Sequence, residues 1–313
     1  MITKQQIEEA HDRIRRYVHR TPVLTSVLLD EIAGCRLYFK CENFQKIGAF
    51  KIRGAMNAAL QLPDEKLKHG IATHSSGNHA QAIALAAKML NTKAYIVMPD
   101  NSPDVKINAV KGYGAEITFC KPNLKAREDT MKLVIKRTGA EFIHPYNDER
   151  IIAGQATCAK ELLEDTDNLD VLITPVGGGG LLSGTSLSAK YFGVDTNVFA
   201  GEPEGAADAV LSFKSGNVES APFIDTIADG LLTTLGDITL KIIRENVRAI
   251  LLVNDDEIIS AMKLIYERMK IVVEPSAAVP LAVVLKNKEI FTGKRVGLIL
   301  SGGNVDLRLF ARV

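Results

Sequence analysis

"DVLITPVGGGGLLSGTSLSAK", residues 170–190, sets a strongly apolar run directly before four glycines and a helical pattern directly after them. A run with so little polar alternation reads as a strand covered on both faces, the habit of parallel sheets. Glycine has no Cβ, so successive amides can turn into one hollow, and the start of the next helix adds positive potential there. The stretch therefore reads as a phosphate cradle. A dinucleotide fingerprint is excluded, because G-x-G-x-x-G would need glycine where Ser183 stands. No G-K-S/T follows, which excludes a P-loop. The plain alternative is a strand–helix turn with glycine for tight packing, and four consecutive glycines argue against it.

The same alternation of short apolar runs and helical patterns extends along the chain. Strand-like runs include "RLYFK", "GIATH", "KAYIVMP", "AEITFC", "EFIHP", "NVFAGEP", "AILLVN" and "RVGLILS". Helical spacing of apolar residues marks 79–90 and 256–270, and the first eighteen residues form an amphipathic helix. The pattern predicts an α/β protein with mostly parallel sheets flanked by helices. In such sheets the site lies beyond the carboxyl ends of the strands. Three of those ends carry glycine, serine or asparagine: "SSGNH" after "GIATH", "GGGG" after "DVLITPV", and "SGGN" after "RVGLIL".

Composition narrows the function. The chain has 313 residues, 46% hydrophobic and 24% charged, with net charge +1. Those values predict a soluble globular protein without the basic face that nucleic acid requires. The longest apolar run, 277–285, is too short for a bilayer and contains Pro280. Four cysteines without a C-x-x-C pair, and no secretion signal, suggest a reducing, cytoplasmic setting. The acidic stretch 161–170 reads as a solvated helix end and turn.

Two further stretches bear on chemistry. "THSSGNHAQA" places Ser75, Ser76, Gly77 and Asn78 at a helix start, where a carboxylate or phosphate is stabilised; the plain alternative is that Ser76 or Asn78 caps the helix. His74 and His79 lack metal-ligand spacing. "NFQKIGAFKIRGA", residues 43–55, holds Lys46 and Lys51, and Lys51 directly follows Phe50 and opens a helical run. A monophosphate cradle, an anion loop and a lysine beside an aromatic suggest pyridoxal phosphate, whose aldehyde needs a lysine amine. Of the two lysines, Lys51 is favoured.

"KIGAFKIRGA", "SSGNHAQA", "GGGGLLSG" and "SGGNVDL" resemble, in order and spacing, the signature segments of fold-type II pyridoxal-phosphate enzymes, in the serine racemase and serine/threonine dehydratase branch. The likeness runs from "RTPVLTS" at 20–26 to "SGGNVDL" at 301–307. It implies a large domain of residues 1–69 and 148–313 and a small mobile domain of residues 70–147. It further implies that Lys51 holds the cofactor aldehyde and acts as base on one face of the substrate Cα, with Ser76 as acid/base on the other. Phe50 and Asn78 would contact the ring. Gly177, Gly178, Gly179, Gly180 and the Leu181 amide would bind the phosphate, and Ser301 would face the pyridine nitrogen. Ser75, Ser76, Asn78 and His79 would receive the carboxylate of a small amino acid, and Arg127 would reach a substrate oxygen.

The resemblance implies serine racemisation with dehydration of β-hydroxy amino acids. Its alternatives are a dedicated ammonia-lyase for threonine or threo-3-hydroxyaspartate and, more remotely, a non-catalytic binding protein on the same fold. A structural Mg2+ or Ca2+ is implied at Glu202, Ala206 and Asp208; on spacing alone Asp208 would be a helix cap and Glu202 an ion-pair partner. ATP as an activator is implied by Ser26, Lys46, Gln81 and Tyr113, although Val27, Ile47 and Ile107 depart from the branch's pattern. Tyr146 and Thr233-Thr234 depart from it beside the substrate. Relatives are commonly homodimers.

Overall fold

The computed structural model describes residues 2–102 and 104–306. Leu307, the last residue of the "SGGNVDL" motif, lies outside them. The strands are β1 (Val23–Leu24), β2 (Arg36–Cys41), β3 (Ile71–His74), β4 (Ala94–Pro99), β5 (Glu116–Cys120), β6 (Glu141–Phe142), β7 (Val171–Pro175), β8 (Asn197–Pro203), β9 (Ala249–Val253) and β10 (Arg295–Leu300). They form a six-stranded sheet, β1-β2-β10-β7-β8-β9, and a four-stranded sheet, β5-β4-β3-β6. Every strand expected from the sequence is present. The addition is β1, a two-residue antiparallel edge pairing with β2, too short to show alternation in sequence. All other pairings between these strands are parallel.

The register explains where the chain's chemistry collects. Leu300 pairs with Cys41 and Pro175 with Gly201, so the residues that follow β2, β10, β7 and β8 leave the large sheet on one edge. The chain after β2 then forms the helix Lys51–Ala59 before entering the small sheet. Beneath the strand ends, three helices pack at close range through glycine. A Cβ on Gly154, in helix Glu149–Glu164, would lie 2.6 Å from the Gly54 Cα, and one on Gly184, in helix Gly180–Phe192, 2.6 Å from the Ala156 nitrogen. These contacts join the lysine helix to the helix that starts in the glycine run.

One buried cluster anchors that arrangement. The Arg53 side chain, 0% exposed, makes two forked contacts. Nε and Nη2 donate to the two Glu42 oxygens, and Nη1 and Nη2 to the two Glu161 oxygens, each at 2.8 Å. Lys40 Nζ adds an ion pair to Glu161 at 2.8 Å and donates to the Thr21 carbonyl at 2.7 Å. The expectation that 161–170 is simply solvated is thus corrected at its first residue: Glu161 is buried, facing inward from its helix because an arginine is there to meet it. Burial acts to raise the Glu161 carboxyl, but the hydrogen bonds and charge of Arg53, with Lys40, prevail and hold it at about 2.

Removing one member of a buried pair leaves its partner's charge uncompensated. Arg53→Met is therefore expected to lower the unfolding free energy by about 3–5 kcal/mol in chemical denaturation. In the wild type, the Glu161 contribution is complete above its ordinary value of 4.5 and is lost as pH falls towards 2. Acid titration of stability should show that loss, and Arg53→Met should blunt it.

Candidate active site

The strand ends open on a cleft of about 300 Å³ between the two sheets' loops. Its walls bring together most of the residues singled out above. Phe50 and Lys51 come from the lysine segment, Ser75 to His79 from the loop after β3, Gly177 to Leu182 from the glycine run, and Ser301 and Asn304 from the loop after β10. Arg127 and Tyr146 line it too, with Thr233 and Thr234. The lysine segment is fixed by the last loop: Phe50 N donates to Ser301 O at 3.0 Å, and Gly303 N to Gly48 O at 2.8 Å.

The Lys51 Nζ donates to the Pro145 carbonyl at 3.3 Å and lies 5.1 Å from the centre of the Phe50 ring. Burial lowers its amine to about 8, opposed by the charge of Glu274. An amine so depressed is partly neutral near physiological pH, the state that attacks an aldehyde or accepts a proton.

The two helix starts present free amides to the cleft. Gly77, not Ser76 or Asn78, is the cap of helix Asn78–Met89, and no side chain caps it. The plain capping role is therefore absent. Ser75 Oγ accepts from Gly77 N at 3.3 Å, and among the described residues the Ser76 hydroxyl has no protein partner. Gly179 caps helix Gly180–Phe192 with φ +87°, again without a side-chain cap. Gly178 is obligatory for a different reason: a Cβ there would lie 2.2 Å from the Tyr146 ring. A hollow of uncapped amides that side chains would fill suits a phosphate.

His79 is buried, with Nε2 3.4 Å from the Ile143 carbonyl and Nδ1 without a partner. Burial holds it well below its usual range. His144 reaches Tyr146 edge-on at 4.7 Å between ring centres, and burial takes it to about 4. Burial raises the Tyr146 phenol, opposed by the Thr234 side chain. Arg127 Nε is buried without a partner.

Glu274 was not foreseen. It lines the cleft and accepts from Asn78 Nδ2, so Asn78 is held from the large sheet's side. The only local signal was a glutamate before Pro275, which reads as an ordinary helix start.

Outside the cleft, Glu202 and Asp208 are both buried. Glu202 makes no ion pair among the described residues; it accepts from the amides of Ala209 and Val210, at 2.6 and 2.9 Å, and so caps the helix Asp208–Ser215. The N-cap position is Ala207, and the carboxylate that meets the first amides is Glu202 and not Asp208, whose Oδ2 is buried and unpartnered. Burial raises these carboxyls to about 8 and about 7. Of the expected nucleotide residues, only Tyr113 lines the second cavity, of about 340 Å³; Ser26, Lys46 and Gln81 lie elsewhere.

The family described as pyridoxal-phosphate dependent enzyme matches residues 14–302. The chain belongs to this family. It is 51% identical to a serine racemase of Dictyostelium discoideum over 316 residues, covering 100% of this chain and 98% of that protein. A beta-hydroxyaspartate dehydratase of Paracoccus denitrificans is 50% identical over 305 residues, covering 97% of each. The crystal structure of the Dictyostelium serine racemase superposes with a TM-score of 0.93 at 52% identity, over 98% of this chain and 99% of that one. The α/β architecture and the dependence on pyridoxal phosphate follow, and the chain is an enzyme.

Proposed function

We propose that this enzyme racemises serine and dehydrates β-hydroxy amino acids to a keto acid and ammonia. One observation carries the reading: Lys51 and the Ser76 loop, from segments tied to different sheets, enter a single cleft that also holds the glycine run and Ser301. When bound, the cofactor supplies an aldehyde for a lysine and an electron-withdrawing ring that acidifies the Cα–H of an amino acid. The amides of Gly177 to Leu181 would hold its phosphate, Phe50 and Asn78 its ring, and Ser301 its nitrogen. Uncapped amides and hydroxyls of Ser75 to His79 would hold the substrate carboxylate.

Lys51 removes the Cα proton on one face, and Ser76 serves the other. A proton returned from Ser76 gives the enantiomer; loss of the β-hydroxyl as water, followed by hydrolysis that releases ammonia, gives the keto acid instead. Positioned proton transfer of this kind contributes about 10²–10⁴-fold. A second reading is an ammonia-lyase for threo-3-hydroxyaspartate or threonine; for hydroxyaspartate, Arg127 has an unpartnered Nε that the second substrate carboxylate would satisfy. The Paracoccus dehydratase supports it.

We also place a Mg2+ or Ca2+ at Glu202, Asp208 and the Ala206 carbonyl, because two buried carboxylates lie there without a counter-charge. We assign ATP as an activator to Ser26, Lys46, Gln81 and Tyr113, of which Tyr113 lines the cavity of about 340 Å³. Exposed Val27, Leu28 and Ile32 on helix Val27–Ala33 support a homodimer. The separate four-stranded sheet supports a small domain of residues 70–147 that closes on the rest. Among the described residues, no helix is long and apolar enough to cross a membrane; four free, buried thiols support a cytoplasmic setting, checked by cell fractionation.

The substrates decide between the two readings. L-Serine, L-threonine and L-threo-3-hydroxyaspartate should be supplied in turn and D-serine and keto acids measured. D-Serine from L-serine is expected, and its absence removes the racemase half. Lys51→Ala should stay folded, lose its colour and fall at least about 10²-fold in activity. Chelation is expected to lower Tm by several degrees, because a ligand at 100 times its Kd stabilises by about 2.7 kcal/mol. An unchanged Tm counts against the cation. Small-angle scattering should give twice the chain mass, and a smaller radius with a substrate analogue bound.

A further inference from the structure

Glu274 stands immediately before helix Pro275–Lys286, where a carboxylate ordinarily caps the first amides, yet its side chain caps nothing. It turns into the cleft instead, 5% exposed. Both of its oxygens accept from Asn78 Nδ2, at 3.0 and 3.1 Å. Room is kept for it, since a Cβ on Gly302 would lie 2.7 Å from Oε1. Lys106, which could answer its charge, is engaged by Asp229.

On its other side Asn78 is held as firmly. Its Oδ1 accepts from Asn304 Nδ2 at 2.8 Å, and that same nitrogen donates to the Ile47 carbonyl at 2.7 Å. With its oxygen taken by Asn304 and its nitrogen turned to Glu274, the Asn78 amide is fixed in one orientation, and the second hydrogen of Nδ2 is the donor it has left for the cleft. We propose that Glu274 is a positioning residue whose ionised carboxylate fixes Asn78 as that donor and sets the charge felt by Lys51, so that its protonation closes the acid side of the activity profile. The proposal rests on the reading of this cleft as the cofactor and substrate site.

The surrounding charges agree with such a role. Burial pushes the Glu274 carboxyl up to about 7; Asp229 acts in the same direction, while Asn78, the Asn304 amide and Lys106 oppose it. Lys51, on the lysine helix, is the remaining charge that faces it. The histidines do not compete for the neutral range, because burial takes His144 to about 4 and lowers His74 and His79 as well. Ionised, Glu274 offers Asn78 only acceptors. Protonated, it keeps only one of the two oxygens free to accept from Asn78 and withdraws the negative charge beside Lys51.

The test compares wild-type holoenzyme with Glu274→Gln and Glu274→Asp, following kcat/KM, the absorbance spectrum of the bound cofactor and Tm across pH. Glutamine keeps an acceptor for Asn78 and removes the ionisation. The wild type should show an inflection near pH 7 in both kcat/KM and spectrum. Glu274→Gln, at unchanged Tm, should lose it in both, and Glu274→Asp should restore it at a displaced pH. A coloured, active Glu274→Gln enzyme with the wild-type inflection overturns this proposal and leaves the reading of the cleft intact. A wild-type protein that never takes up the cofactor overturns both. If Glu274→Gln does not fold, Glu274→Asp decides: a displaced inflection supports the proposal and an unmoved one overturns it.

Discussion

The doubly forked contact of Arg53 with Glu42 and Glu161 is the interaction on which the position of Lys51 depends. The two residues are separated by one position in the same helix, so whatever holds the guanidinium also holds the first turn that carries the amine. Glu42 follows the end of β2 and Glu161 belongs to the helix packed beneath. Arg53 thereby joins sheet, lysine helix and supporting helix at one point. Dehydrating such groups is costly, and the geometry offsets the cost only because all the charges are answered. Arg53 and Lys40 are matched by Glu42 and Glu161.

Around the cleft and the Glu202 pair, the opposite rule holds. Glu274 accepts neutral amides, and Asp208 leaves one oxygen without a partner. Lys51 donates to a carbonyl, and Arg127 Nε donates to nothing. Buried charge in the scaffold is neutralised by the chain itself, whereas among the described residues no ion pair meets these groups. This is why the carboxyls of Glu202, Asp208 and Glu274 are raised while that of Glu161 is depressed, although all four are buried. Perturbation without an internal partner is the physical mark of a site, and perturbation with one is the mark of a framework.

Much of this was legible in the sequence where the chemistry is local. The cradle needs consecutive amides, so its glycines had to be adjacent, and the lysine segment is likewise one short string. Strand ends could be read because apolar runs stop sharply at glycine and serine. What could not be read depends on residues far apart. Glu274 meets Asn78 across 196 positions, and Arg53 meets Glu161 across 108. Each of these acids looks ordinary beside its own neighbours. The contact of Gly54 with Gly154 was hidden for the same reason, since an isolated helical glycine announces a close approach without saying to what.

The relatives sharpen where specificity must lie. Proteins named for a racemase and for a dehydratase are each about half identical to this chain over nearly its whole length. In our reading both outcomes begin with the same proton loss at Cα, for which Lys51, the cradle and Ser301 suffice. Those residues cannot then be what separates the two outcomes. The rest of the wall includes Ser76, which in our reading returns the proton, and Tyr146, Thr233, Thr234 and Arg127, contributed by loops and by the small sheet's side of the cleft. Tyr146 is also the ring that keeps Gly178 a glycine. A change there acts on the cradle as well as on the substrate's side chain, so exchanging one activity for the other would require compensating changes at Gly178 or Thr234 rather than at Tyr146 alone.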